Sequence, residues 1–317
     1  MVAGAKCRKI TISWFCHAQG RGHMAEPKSY IDGTKAVVDP NEMRDPELRE
    51  LVERLGNAMA KSDPDRQEPE RKTAQIIQLP IWPEPARGTP NSFLRSALFA
   101  AIQGKGRRYM EKELLGSLHG FTVKYTGKQL DQSDLDVWEQ AVHLARLHPL
   151  GHVCLFTANA FLKALGRSNG KSNYMWLHDV FTRLVACAVE IRYGTKVFTG
   201  NLLASCIRDE ATSVYRLTIN PDTIKLYGSA EWTGVEWKQR QALRGKPLAL
   251  WLHGFYSTHA AAYPIKVDTL RELSGSRTKE GYKFKQNLKT ALAELDAATG
   301  MKFAIEKNLV VKERKGE

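Results

Sequence analysis

One order of elements occurs twice in this chain, and that repetition restricts the fold more than any single motif does. In the first copy, DQSDLDVWEQAVHLARL (131–147) has Leu135, Trp138, Ala141, Val142 and Ala145 at helical spacing. A short strand, CLFT (154–157), follows. Two helices come next, ANAFLKAL (158–165) and SNYMWLHDVFTRLVACAVE (172–190), and then short strands in IRYG, KVFTGNLLASCIRD and SVYRLTIN. The second copy starts with a largely helical stretch over 235–260, interrupted near Gly245 to Pro247. It continues with strand-like YPIKV (263–267), the short helix DTLRELSG (268–275) and a long helix over 278–300 closed by Gly300. A hairpin over Lys307 and Asn308 ends it. The expected fold is α+β, with two tandem domains at 92–228 and 235–317. SFLRSALFAAI (92–102) reads as a helix and FTVKYTG (121–127) as a strand.

Ahead of these domains the chain changes character. Residues 1–43 show no periodicity and read as flexible, with Met24 an alternative start. DPELRELVERLGNAMA (45–60) has Leu48, Leu51, Val52, Leu55 and Met59 on one helical face; Asp45 can cap it and Pro46 suits its first turn. KSDPDRQEPERK (61–72) is a polar linker, so 1–74 reads as an N-terminal extension. Residues 75–91 are extended and proline-rich, yet they carry Ile76, Ile77, Leu79, Ile81 and Trp82. An apolar strip of that kind is covered either by its own domain or by a partner's pocket.

The stretch LGRSNGKS (165–172) approaches a nucleotide-binding loop but spaces its glycines one residue too closely. The segment before it, with Phe161, Leu162 and Leu165 on one face, is helical, whereas such a loop follows a strand. A short helix, a turn at Gly166 and Gly170, and a longer helix make a helix-turn-helix instead, with Ser168 or Ser172 available as cap.

The longer helix buries Leu177, Val180, Phe181, Leu184 and Ala188 and turns the opposite face outward. On that face Lys171, Ser172, Met175, His178 and Asp179 lie nearest the bases of a duplex, and Thr182 and Arg183 nearer its phosphates. An ordinary solvated face is the alternative. The second long helix buries Phe284, Leu288, Ala291, Leu292 and Leu295. It presents Lys279, Tyr282, Lys283, Gln286, Lys289 and Thr290, a face with no acidic residue, on which Gln suits adenine and Lys guanine. The hairpins after each helix read as wings. Arg192, Lys196, Lys307, Lys312 and Arg314 are the phosphate contacts expected on them, with Lys289 and Thr290 beside them.

Charge supports a polyanionic partner. The net charge is +13, and nearly all of the surplus lies in residues 75–317. Cys154, Cys187 and Cys206 sit in apolar runs and read as reduced thiols of a cytoplasmic protein. Cys7, Cys16, His17 and His23 match no zinc spacing, so no metal or cofactor is expected. The longest uncharged run, 247–265, is interrupted by polar residues and reads as a buried helix, not a membrane span. No H-x-H pair or paired carboxylates in an apolar strand suggest catalysis, so the expectation is a binding protein and not an enzyme. A nuclease or a transcriptional repressor built from the same modules are the competing readings.

Four blocks carry a resemblance: QLPIWPEPARGTPNSFLRSALFAA (78–101), YTGKQLDQSDLDVWEQAVHLAR (125–146), FLKALGRSNGKS (161–172) and QRQALRGKPLALWLHGFYSTHA (239–260). They closely resemble the TrfA family, the replication initiators of IncP-type plasmids. The resemblance implies two winged-helix domains that bind direct repeats (iterons) at the plasmid origin. It also implies a monomer–dimer equilibrium, origin opening, recruitment of the host initiator, replicative helicase and sliding clamp, and copy-number control. Gln78, Leu79, Pro80, Ile81 and Trp82 fall on the family's clamp-binding pentapeptide, with Ile and Trp in place of its Leu and Phe.

Overall fold

The computed structural model describes residues 78–313, except 104–105, 119, 150–151, 229–230 and 260–262, together with Pro46, Glu50 and Arg54. The chain divides into two compact units, Met1–Ala74 and Gln75–Glu317. In the first, Pro46, Glu50 and Arg54 are helical and exposed. They lie within the helix expected over 45–60, whose apolar stripe falls outside the described residues.

The second unit contains two hydrophobic cores. One runs from Leu79 to Trp237 and is built on Trp138, Phe161, Phe181 and Tyr215. The other runs from Leu243 to Val310 around Trp251, Phe255, Phe284 and Leu288. Val235 and Trp237 belong to the first core, so the boundary falls later than position 235, inside a helix.

In the first module, helix α2 (Gln132–Ala145) follows a small strand pair and the short helix α1 (Asn91–Leu94). Asp131 caps α2: its carboxylate accepts from the amides of Ser133 and Asp134, and Asp134 returns the bond to the Asp131 amide. Strand β6 (Val153–Thr157), helices α3 (Ala158–Ala164) and α4 (Lys171–Val185) and the hairpin β9–β10 (Leu203–Arg208, Val214–Ile219) follow. The three strands form an antiparallel sheet in the order β6-β10-β9.

The second module runs through α5 (Trp237–Ala242) and α6 (Pro247–Ser257), β12 (Ile265–Lys266), α7 (Val267–Leu273), α8 (Gly281–Thr299) and the hairpin β13–β14 (Phe303–Glu306, Leu309–Lys312). Its sheet order is β12-β14-β13, the same arrangement. Gly300 ends α8 in the left-handed conformation (φ +69°), which a residue without a Cβ adopts freely.

Several elements differ from expectation. The stretch 92–102 is helical only over Asn91–Leu94, and Phe99–Ala100 (β2) pairs in parallel with Leu130–Asp131 (β5). Trp232–Glu236 (β11) is a strand, paired antiparallel with Ala86–Pro90 (β1). Strand β3 (Tyr109–Leu115) joins β4 (Phe121–Lys128) and an additional hairpin, β7 (Ala188–Tyr193) with β8 (Lys196–Gly200). Together they make a four-stranded antiparallel sheet that the second module lacks among the described residues. Helix α4 stops at Val185, so Ala188 lies in β7 and is exposed, not in the helix core.

Candidate nucleic-acid interface

Helix α4 turns a polar face to solvent because Leu177, Val180, Phe181 and Leu184 fill the core on the other side. Lys171, Ser172, Met175, His178, Asp179 and Thr182 are all exposed. Met175 is 59% accessible, although a thioether gains from burial. Neither expected serine caps the helix: its N-cap is Gly170, with no side-chain bond. The turn is held instead by Asn173, whose Nδ2 donates to the Ser168 carbonyl (2.8 Å). Arg167 stacks on Trp176, its guanidinium carbon 3.6 Å from the ring centroid.

Arg183 does not belong to this face. Its guanidinium donates to Asp134 at 2.7 Å, and its side chain is only 11% exposed. Asp134 also accepts from Arg107 (2.6 Å), and burial pushes its carboxyl up while the two guanidinium groups pull it back. Arg183 is therefore an internal ion-pair partner and is withdrawn as a phosphate contact.

Helix α8 repeats the design with different chemistry. Phe284, Leu288, Ala291, Leu292 and Leu295 are buried. Tyr282, Lys283, Gln286, Lys289 and Thr290 are exposed, and so is Asn287, which the sequence reading passed over. The helix begins at Gly281, so Lys279 stands in the preceding turn, where its carbonyl accepts from Arg271 (3.1 Å). The acidic Glu280 occupies the N-cap and is exposed, so the face expected to lack acidic residues has one at that end.

The hairpins also differ from the assignment made on sequence. Arg192 and Lys196 are exposed, but they lie on β7 and β8 of the additional sheet. The first-module hairpin that matches β13–β14 in sheet order is β9–β10. Its bend carries Asp209 and Glu210, and the Asp209 carboxylate accepts from the amides of Ala211 (2.9 Å) and Thr212 (3.0 Å). Arg208 and Arg216 are the exposed cations on its strands, and strand patterning in the sequence does not single them out. In the second module, Lys307 sits at the bend with φ +55° and is exposed, and Lys285 donates to its carbonyl (2.7 Å). Lys312 is half-buried, and Arg314 lies outside the described residues.

The strip Gln78 to Trp82 is not free to fill a partner's pocket. Leu79 and Trp82 are each only 3% exposed within the first core. The Trp82 indole N–H donates to His143 Nδ1 (3.0 Å), and its ring stacks on Tyr227 with centroids 6.1 Å apart. At Gly88 a Cβ would fall 2.4 Å from that ring, so only glycine leaves room for it. Glu84 accepts from His143 (3.1 Å) and Arg146 (2.5 Å), fastening the strip to α2. Gln78 is exposed and donates to the Arg146 carbonyl (3.4 Å), Pro80 is half-buried, and Ile81 is the exposed apolar residue. The clamp-motif expectation is corrected accordingly: its two apolar anchors already occupy a site on their own domain.

Cys154 and Cys187 are buried thiols, as expected, and Cys206 is half-buried; burial pushes Cys187 up to about 11. Among the described residues no cluster of His, Cys, Asp or Glu could hold a metal ion, and no helix is long and apolar enough to cross a membrane. The four N-terminal Cys and His residues lie outside the described residues.

Comparison with known proteins adds the following. A family model described as TrfA protein matches residues 49–314. A curated relative, "Plasmid replication initiator protein TrfA" from Escherichia coli, is 26% identical over 231 residues. That match covers 69% of this chain and spans 59% of the relative's length. Among solved structures, domains 2 and 3 of RctB are 14% identical, covering 71% of this chain and 96% of that one, with a TM-score of 0.47. The Pi initiator protein in complex with iteron DNA is 14% identical, covering 58% of this chain and 95% of that one, with a TM-score of 0.44.

Proposed function

Because this chain belongs to the TrfA family, we propose that it is a plasmid replication initiator whose two modules, read as winged helices, bind direct repeats in duplex origin DNA. The observation that carries the proposal is the matched pair of outward faces on α4 and α8. Each stands on the second helix of a helix-turn-helix, and each is polar where the opposite side is sealed in a core. On α8, Lys283 and Gln286 supply donors and acceptors suited to base edges, with Lys289 placed for phosphate. Lys307 at the β13–β14 bend adds a second phosphate contact. On α4 the base-facing set is Lys171, Ser172, Met175, His178 and Asp179, with Thr182 toward the backbone. Opening of adjacent AT-rich DNA draws on bending energy and not on bond chemistry. Hand-over to the host initiator and helicase, and copy control through pairing of bound origins, complete the proposed role.

The test is a fluorescence titration of the purified protein against two duplexes, one carrying the tandem repeats beside the gene and one the same bases scrambled, at several salt concentrations. A preference for the repeats of about a thousandfold, maintained at physiological salt, is expected of a specific reader. Equal affinities that collapse together as salt rises would reduce the interaction to phosphate attraction. Permanganate footprinting of supercoiled origin DNA then separates an initiator, which exposes unpaired thymines, from a repressor, which does not.

A further inference from the structure

Each module grips the turn that launches the other module's outward-facing helix. Helix α5 of the second module lies against the end of α3. There the Gln241 amide donates to the Ala164 carbonyl at 2.9 Å, and the indole N–H of Trp237, which opens the same helix but is buried in the first core, donates to that carbonyl at 3.2 Å. Arg244 donates to the carbonyl of Gly166 two residues on. These are the residues from which the chain turns into α4. In the opposite direction, Arg277, in the turn between α7 and α8, donates to the Gly106 carbonyl (2.8 Å) and to the Gln129 side chain, both of the first module. The same turn is packed close. The Ala101 amide donates to the Ser274 carbonyl (2.7 Å), and a Cβ on Gly275 would lie 2.9 Å from that of Ala100. Along helix α5, Arg240 is 1% exposed, hydrogen-bonded to Asp136 (2.6 Å) and ion-paired with Glu139 (3.0 Å) of α2.

We propose that this reciprocal grip fixes the separation and rotation of α4 and α8, so that Gln241, Arg244 and Arg277 set the spacing of the DNA elements one chain reads. The inference rests on the repeat-binding reading above. The physical argument is that both grips act on the turns, at the N-terminal ends of the helices, which is the end that reaches bases. A contact at the far end of either helix would leave its reading end free to swing. Before α4 the gripped groups are the backbone carbonyls of Ala164 and Gly166, whose positions follow the main chain. Before α8 the Ser274 carbonyl is held in the same way by the Ala101 amide, and Arg277 reaches out from that turn to the first module. These three are positioning residues: none lies on the outward faces of α4 or α8.

The experiment uses the full chain and duplexes carrying the native repeats or repeats lengthened by two base pairs at the centre of the protected region. The wild-type protein should lose about tenfold or more in affinity on the insertion, as expected when a rigid reader can seat only one helix at a time. The triple variant Gln241→Ala, Arg244→Ala, Arg277→Ala should bind the native repeat within about fivefold of wild type and lose less than about threefold on insertion. Circular dichroism and a thermal melt check its fold; if it does not fold, Arg277→Ala alone, exposed in the wild type, is read in the same way. A variant with the wild-type penalty for insertion overturns the proposal. So does a wild type indifferent to insertion, or a folded variant that no longer prefers repeats over scrambled DNA, because the grip would then serve affinity and not spacing. A wild type that fails to prefer repeats at all is a different result: it removes the repeat-binding reading itself.

Discussion

Helices α4 and α8 share one buried pattern and carry two different faces. Aligning Leu177, Val180, Phe181 and Leu184 with Leu288, Ala291, Leu292 and Leu295 pairs the exposed positions as well. Lys171 then faces Tyr282, Ser172 faces Lys283, Met175 faces Gln286, His178 faces Lys289 and Asp179 faces Thr290. The α8 set is cationic and rich in hydrogen-bonding groups, whereas the α4 set includes a thioether and a carboxylate. The hairpin bends follow suit, with Asp209 and Glu210 in the first module against Lys307 in the second. Even the flanking pair is inverted. Arg183 of α4 meets Asp134 in a buried pair, and its counterpart Glu294 of α8 meets Lys246 in a more exposed one at 3.5 Å. On the proposed repeat-binding reading, the second module is the stronger base reader, and the first relies on shape, apolar contact and fewer polar groups.

Substitutions at matched positions test that asymmetry. Lys283→Ala with Gln286→Ala removes two base-edge partners and should cost about a hundredfold or more in affinity for the repeats, with little change on scrambled DNA. The matched pair Ser172→Ala with Met175→Ala should cost about tenfold or less in the same titration. Equal losses would erase the proposed difference between modules. Next in size, Thr290→Asp installs on α8 the carboxylate that α4 carries at Asp179. It should weaken binding about tenfold, and unchanged affinity would mean that this position lies away from the DNA. Lys307→Ala should weaken repeats and scrambled duplex alike by a few fold and lower the salt slope by about 0.9. A sequence-selective loss would reassign Lys307 to base reading.

The smallest effect concerns stability. Each module holds a neutral histidine on a main helix, and burial presses His143 down to about 4 and His253 down to about 3. His143 accepts from Trp82 through Nδ1, so a proton there would set two donors against each other. Both folded values lie below the unfolded value of about 6.5, so the unfolded chain binds more protons as pH falls below it. The histidines' contribution is therefore greatest above pH 6.5 and declines toward pH 4, by no more than about 1.4 kcal/mol per pH unit for each, while Glu139, which burial pushes up to about 7, works in the opposite sense over the same window. Urea midpoints at pH 7 and pH 5 measure it. His143→Gln should flatten the slope, and an unaltered slope would show that His143 does not contribute to it.

Much of this was readable from local patterns. The repeated order of helices and hairpins, the stripes from Leu177 to Leu184 and from Phe284 to Leu295, and the cations of α8 all recur at helical spacing within one element. Boundaries were less legible. LFAA reads as helix by propensity, yet Phe99 and Ala100 pair with Leu130 and Asp131, and YMEKELL gave too weak an alternation to announce β3. Trp82 looked like a partner's ligand because an apolar strip does not say what covers it; Tyr227 and His143, far along the chain, do. Arg183 looked free for the same reason, since helical phase turns it outward and only the fold brings Asp134 beside it.

By itself the sequence determined the two repeated modules, their buried helix faces and the excess of positive charge, because periodicity and composition are properties of neighbouring residues. Tertiary structure decided which charges are spent inside the protein, which apolar groups are covered, and how the turn before each outward helix is held by the opposite module. Those depend on contacts such as Arg277 to Gly106 and Gln241 to Ala164, between residues 171 and 77 positions apart in the chain, which local periodicity cannot relate.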